Sequence, residues 1–498
     1  MHDIPLCSRN FFKSNAGGGQ IYRIKRKIVI TTKKCLCYKE VLNVEIGLGV
    51  WAFVVYLAVV IIWNTVIKRS ITEAMLLGYL VVVAFGGIDN YFTTLADSFY
   101  AGATDEIFLA TMLFVFMSAI MTRTGIIGEL IEILNSLIGY IRGGPGYVAV
   151  LASGLLGLVA GNSTANAATV GSFTIPWMTS SGWPKETAAT ITAGNAGSGQ
   201  SFPASSAMFL MLGMSQIAPL VTIDRFYLAM LTAGLWCVLY RLLIVRYYVG
   251  HYNIQRIPKE QIAPLGEALK KNWPALLMFV SIIVPLVLTL SPLSGVLEAI
   301  PSYGETGVGS ISIVIWVPIL MTIIAIIEGW KRLPHSVKGW LDLLKDTESN
   351  FLGVGGVFLF AIAGSNALSS VGFGEDLTAL LSSLSLPKVV MVFIVGIMVA
   401  LVGGPLGGVA TTMATGPVAF TALTSVGVNP TCAVAAFLIW MSTEGASPPS
   451  SPPIFVACSL ADVKDVGKTF FPLIFHYVVP IVIVGCLIAL GVLPIANT

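Results

Sequence analysis

Leu158-Val-Ala-Gly-Asn-Ser-Thr-Ala-Asn-Ala-Ala-Thr169 returns 243 residues later as Leu401-Val-Gly-Gly-Pro-Leu-Gly-Gly-Val-Ala-Thr-Thr412. Each stretch begins apolar and is then broken by Gly, Pro, Asn, Ser or Thr at intervals too short for an uninterrupted membrane crossing. Irregular backbone of this kind survives at membrane depth only when it is buried in protein or lines a cavity. The flanks repeat as well. Phe114-Val-Phe-Met-Ser-Ala-Ile-Met121 and Gly128-Glu-Leu-Ile-Glu-Ile-Leu-Asn-Ser-Leu137 precede the first stretch, and Phe358-Leu-Phe-Ala-Ile-Ala-Gly364 and Glu375-Asp-Leu-Thr-Ala-Leu-Leu-Ser-Ser-Leu384 precede the second. After each comes a further break, Gly199-Gln-Ser-Phe-Pro-Ala-Ser205 and Gly445-Ala-Ser-Pro-Pro-Ser-Ser451, at a spacing of 246. Broken helices at matching positions of two repeats point to a transporter binding site where the repeats meet. Close helix packing through small residues explains an isolated glycine, but not paired clusters in one order.

Composition gives the surroundings. Of 498 residues, 56% are hydrophobic and 11% charged, and mean hydropathy is +0.86, whereas a soluble domain carries roughly 25% charged residues. Apolar runs of about 20 residues suit helices crossing a 30 Å hydrocarbon core, not the alternating strands of a barrel. The fold class is therefore an all-α polytopic membrane protein. A net charge of +3 gives no reason to expect nucleic acid as a partner. The seven cysteines, Cys7, Cys35, Cys37, Cys237, Cys432, Cys458 and Cys486, form no metal-ligand spacing and read as packing residues.

Spans are expected near 46–66, 71–88, 106–122, 224–248, 273–290, 309–327 and 468–492. Residues 1–44 read as a basic N-terminal extension without a fold of its own, since nine of the 28 Lys and Arg fall in residues 1–39. A first half then occupies 45–248, with a transport repeat at about 106–222. A polar linker loop, 249–272, leads to the second half, 273–498, with its repeat at about 351–462.

The breaks suit coordination. Sodium favours carbonyl and hydroxyl oxygens, which a helix broken among Ser, Thr and Gly supplies. Asn162, Ser163, Thr164 and Asn166 with the loop Gly197–Ser201 make one such set. Gly403, Gly404, Gly407, Thr411 and Thr412 with the loop Thr443–Ser447 make its mate. Half-helix N-termini at the same breaks point N–H groups at an anion, so a carboxylate can bind without Arg or Lys. The clusters contain neither, and the nearest basic residue along the chain is Lys185. Thr164, Ser198, Ser201, Thr443, Glu444 and Ser447 are the side chains expected to face substrate.

At these residues the chain resembles a known family. Ala160-Gly-Asn-Ser-Thr-Ala-Asn-Ala-Ala-Thr-Val-Gly-Ser-Phe-Thr-Ile-Pro176, Gly182-Trp-Pro184 and Gly199–Ser205 are similar to the Gly-Ser-rich, Ile-Pro, Gly-Tyr-Asp and Pro-Pro-Ser succession of the TRAP transporter large membrane subunit, the DctM type. Ser447-Pro-Pro-Ser-Ser-Pro-Pro-Ile-Phe-Val-Ala-Cys458 and Val463–Pro472 resemble its later motifs, so the likeness runs from about residue 45 to the end. The resemblance implies two repeats of inverted-topology type, each with a helical hairpin and a broken helix, moving as an elevator. It implies a multi-pass inner-membrane permease that imports an organic acid on a Na⁺ gradient, without a cofactor. Its expected partners are a small membrane subunit and an extracytoplasmic solute-binding protein. The ion ligands it implies are Gly161, Asn162, Ser163, Asn166 and Gly199 in the first half, and Gly404, Gly407, Thr411, Thr412 and Gly445 in the second, with no transition metal. Gln200, Ala204 and Glu444 depart from the family pattern.

Glu444, ionisable within an apolar stretch, is a functional candidate by default. Proton carrier, ion ligand, anion discriminator and helix cap are all open to it. His476 reads as a packed or interfacial residue. No nucleophile with its base, metal ligand set or Walker loop supports an enzyme. A stand-alone Na⁺- or H⁺-coupled carboxylate carrier and an ion channel remain as alternatives.

Overall fold

Long apolar runs punctuated by Gly and Pro fold here into helices that stop and restart at those residues. The computed structural model describes residues 47–496 apart from 161–162, 204, 259–261, 291–295, 298, 301–311, 384–385, 407 and 449–450, and every regular element in that set is helical. The expected extension 1–44 lies outside the described residues. The first helices are α1 (Leu48–Ile61, continued by a π turn at Ile62–Val66), α2 (Ile71–Phe85), α3 (Tyr91–Ala103), α4 (Glu106–Thr124) and α5 (Ile126–Ile138). A hairpin follows, α6 (Gly144–Ala160) and α7 (Ser163–Ser180). A broken helix comes next, α8 (Lys185–Ala196) and α9 (Ser206–Leu212) with a 3₁₀ turn at Gly197–Ser201 between them. The long α10 (Ile223–His251) closes this half.

The second half opens with α11 (Leu265–Asn272), α12 (Met278–Leu290) and α13 (Ile313–Glu328), then α14 (Val337–Ser370) and α15 (Phe373–Ser383). Its hairpin is α16 (Lys388–Leu406) and α17 (Gly408–Ser425). Its broken helix is α18 (Pro430–Met441) and α19 (Pro452–Leu460), with a 3₁₀ turn at Glu444–Ala446. The chain ends in α20 (Gly467–Leu473), a π turn at Ile474–Val478 and α21 (Val479–Ala489). α10 and the run Gly467–Ala489 are each long and apolar enough to cross a membrane unaided. The expected linker loop 249–272 is partly helical: α10 extends to His251, and α11 packs on α5, where Lys271 Nζ and Asn272 Nδ2 bond Glu132 at 3.0 and 2.8 Å.

Helix bounds put the repeat at a register of 245. α7 and α17 are both 18 residues long and start at 163 and 408, and α8 and α18 are both 12 residues long and start at 185 and 430. The 243 offset read from residue similarity is therefore corrected by two. Similarity aligned the glycines before each break, whereas the helices restart at Ser163 and Gly408. The turns agree with the corrected register. Gly182 and Gly427 follow α7 and α17 with φ of +88° and +77°. Next to them the amides of Trp183 and Val428 reach back to the Met178 and Leu423 carbonyls at 3.0 Å, the Schellman closure for which glycine is best suited.

The halves interlock. α7 packs on α19, and α17 packs on α9, so each hairpin arm lies on the other half's broken helix. α14 packs on α2, α3 and α4, and α13 on α4, forming a helical layer beside this core that joins it where α4 packs on α6 and α9. On α10, Leu235, Leu239 and Leu243 are exposed at helical spacing, while Cys237, Arg241 and Val245 are fully buried on the opposite face.

Candidate functional site

The two 3₁₀ turns meet back to back. A Cβ added to Gly197 would lie 2.2 Å from the Ser442 carbonyl oxygen, and one added to Gly445 would lie 2.8 Å from the Gly197 nitrogen and 3.1 Å from the Ala193 oxygen. Backbone touches backbone here, and glycine alone lets it do so. Ser198, Gly199, Ser201, Thr443, Glu444 and Ser447 are all buried around this crossing.

One face of the crossing carries a cation. The α10 residue Arg241 donates from Nη1 to Ser198 Oγ at 2.8 Å and from Nη2 to Ser442 Oγ and O at 3.1 and 3.3 Å. Ser198 lies just beyond the C-terminus of α8, and Ser442 caps the C-terminus of α18. Exposed carbonyls and a partial negative charge gather at such ends. The expectation that the crossing holds no basic group, with Lys185 the nearest along the chain, is thereby corrected. Arg241 is distant in sequence and arrives from a helix outside both clusters. Its signal was present in Trp236-Cys-Val-Leu-Tyr-Arg-Leu-Leu-Ile-Val245, where a charge interrupts an apolar span.

The opposite face carries a carboxyl group. Ser163 Oγ donates to Glu444 Oε1 at 2.8 Å. A Cβ added to Gly408 would sit 2.9 Å from both Glu444 Oε2 and Gln200 Nε2. Oε2 thus lies against the Gly408 backbone, although no well-shaped hydrogen bond to it is completed among the described residues. Ser163 and Gly408 begin α7 and α17, so the carboxylate stands between two helix N-termini, where a negative charge is stabilised. Ser451 Oγ holds the Glu444 carbonyl at 2.6 Å and keeps the turn in place.

The expected ligands otherwise brace the broken backbone. Asn166 Nδ2 bonds the Ser153 carbonyl at 3.0 Å, and Thr411, its counterpart at the corrected register, bonds the Val402 carbonyl at 3.4 Å, so each ties together the arms of its hairpin. Thr412 Oγ1 bonds Gly408 O, Ser201 Oγ bonds Ser198 O and Thr443 Oγ1 bonds Trp440 O, each at 2.7 Å. Ser447 Oγ bonds Thr443 O at 2.9 Å. Thr164 is half-buried in the first turn of α7, and Gly404 lies near the end of α16. Gly161, Asn162 and Gly407 lie outside the described residues. The two expected sets form one composite cluster, because Glu444 of the second half bonds the first hairpin and Gln200 of the first half approaches the second. His476 packs: its Nδ1 lies 2.7 Å from Tyr248 Oη. Outside the membrane-spanning part, Lys185 pairs with Asp462 at 2.8 Å and holds that carboxyl below the usual range, linking the start of α8 to the end of α19.

The sequence model described as "Tripartite ATP-independent periplasmic transporter, DctM component" matches residues 50–490. A Pseudomonas aeruginosa C4-dicarboxylate TRAP transporter large permease protein, DctM, is 30% identical over 174 residues, 34% of this chain and 40% of that protein. The Escherichia coli 2,3-diketo-L-gulonate TRAP transporter large permease protein YiaN is 26% identical over 173 residues, 35% of this chain and 39% of that one. These alignments therefore span less than half the length of the relatives. The crystal structure of the Alcanivorax borkumensis YdaH transporter shares the fold with a TM-score of 0.61 at 17% identity, over 82% of this chain and 89% of that one.

Proposed function

Because the chain belongs to the DctM component family of tripartite ATP-independent periplasmic transporters, we propose that it is the large permease subunit of a Na⁺-coupled importer of a small organic acid. It is a multi-pass inner-membrane permease and not an enzyme. The observation that carries the reading is the crossing at Gly197 and Gly445, where both hairpins and both broken helices bring small polar residues to one buried cluster. Relatives named for a C4-dicarboxylate and for 2,3-diketo-L-gulonate support a carboxylate substrate, with one carboxylate near the N-termini of α7 and α17 and Glu444 discriminating among anions. Sodium is assigned to the oxygens around Gly161–Asn166 with Gly199, and around Gly404–Thr412 with Gly445.

The mobile body comprises the hairpins and broken helices of the two repeats, 144–212 and 388–460, and moves as an elevator, since these elements are interlocked across the halves. A small membrane subunit and a solute-binding protein complete the assembly. The test is uptake of labelled succinate or 2,3-diketo-L-gulonate by proteoliposomes holding the chain with a TRAP small membrane subunit and a solute-binding protein. Thr412→Ala raises the half-saturating Na⁺ concentration several-fold. An unchanged Na⁺ dependence in that variant contradicts the site assignment, and full uptake without the binding protein favours a stand-alone carrier.

A further inference from the structure

We propose that Arg241 is a resident cation, permanently filling a position at the crossing that an exchangeable coupling cation would otherwise take. The inference rests on the ion-coupled reading above and adds to it. In transporters with discontinuous helices, half-helix C-terminal ends and unwound carbonyls are the places where coupling cations bind. Here the C-terminal turns of α8 and α18 are brought together by Gly197 and Gly445, and the group lodged between them is a guanidinium. It bonds Ser198 Oγ, Ser442 Oγ and Ser442 O.

Two further observations separate this arginine from a structural ion pair. Among the described residues no carboxylate lies within 4 Å of Arg241, whereas Arg332, Lys185 and Lys271 each have one. Arg241 is also fully buried, and its Nε makes no hydrogen bond there. An unpaired buried charge is costly unless something else compensates it. The compensation available is the partial negative charge of two helix ends. Sodium at the same place would use the same oxygens. The guanidinium therefore removes one exchangeable ion from this face of the crossing and leaves the hairpin face, with Ser163, Glu444 and the α17 N-terminus, as the side open to traffic.

Charge and hydrogen bonding are separated by Arg241→Lys and Arg241→Gln, made in the full chain with its partners. The proposal predicts that Lys, which keeps the charge but not the fork, leaves the Na⁺ dependence of succinate uptake as in wild type. Gln, which keeps donors but not the charge, raises the half-saturating Na⁺ concentration several-fold and steepens the curve by an added ion. Identical Na⁺ curves for Gln and Lys overturn it. Because a variant can fail to insert or transport, thermal unfolding in detergent provides a second reading. Arg241→Gln is expected to gain several degrees more than wild type from added NaCl relative to choline chloride, and an equal gain overturns the proposal. If wild-type protein takes up neither succinate nor 2,3-diketo-L-gulonate under any ion gradient, the carboxylate reading fails, and the unfolding comparison still decides the role of Arg241.

Discussion

At the scale of single residues, steric contacts at the crossing give the sharpest expectations. Gly197→Ala forces a methyl into the Ser442 carbonyl, and overpacking of this kind costs about 1–3 kcal/mol. Gly250 on α10 has open space around it, so Gly250→Ala leaves stability unchanged or slightly higher. Equal behaviour of the two variants in a detergent unfolding assay contradicts the packing described. Glu444→Gln is expected to tighten succinate binding several-fold in an equilibrium binding assay, because it removes an ionisable acid from helix ends that a substrate carboxylate is proposed to share. Weaker binding instead identifies Glu444 as an ion ligand. Glu444 was legible in the sequence as an ionisable residue in an apolar stretch. Its link to Ser163, 281 residues away, was not, because the contact exists only once the halves interlock. Arg241 carried the same sequence signal but lay outside the clusters that the repeat defined.

At the scale of elements, the repeat was readable from its breaks, since Gly, Pro, Ser and Asn interrupt helices wherever they fall in an apolar chain. Its register was not. Residue similarity follows the small residues before each break, while the structural match follows where α7 and α17 restart, two positions away. The left-handed glycines Gly182 and Gly427 give a test confined to the elements. Nothing lies within 4 Å of a Cβ added at either, so Gly182→Ala and Gly427→Ala pay only for the backbone conformation, about 1–2 kcal/mol each. Gly266→Ala in α11, also in open space but without a left-handed φ, serves as the control and loses nothing. A loss at one twin but not the other would show that the two turns are not equivalent. The partial helicity of the expected linker was missed because Leu265–Asn272 is short and charged, and its order comes from packing on α5.

At the scale of the whole molecule, hydropathy located helices at the expected apolar runs, of which α10 and Gly467–Ala489 are each long and apolar enough to cross a membrane, but it could not say which helices form the layer beside the core and which carry the crossing. The structure divides these roles. α1–α4 and α12–α14 pack among themselves, while the hairpins and broken helices engage across the halves around Arg241, the paired glycines and Glu444. That arrangement is the physical basis for proposing alternating access with ion coupling. The most direct test is uptake of labelled succinate or 2,3-diketo-L-gulonate by proteoliposomes containing the chain with the proposed small subunit and binding protein, with and without an inward Na⁺ gradient. Accumulation above the external concentration is expected, requiring the gradient and disappearing when it is collapsed. Equilibration to the external concentration, unaffected by the gradient, would rule out ion-coupled transport and mark a channel.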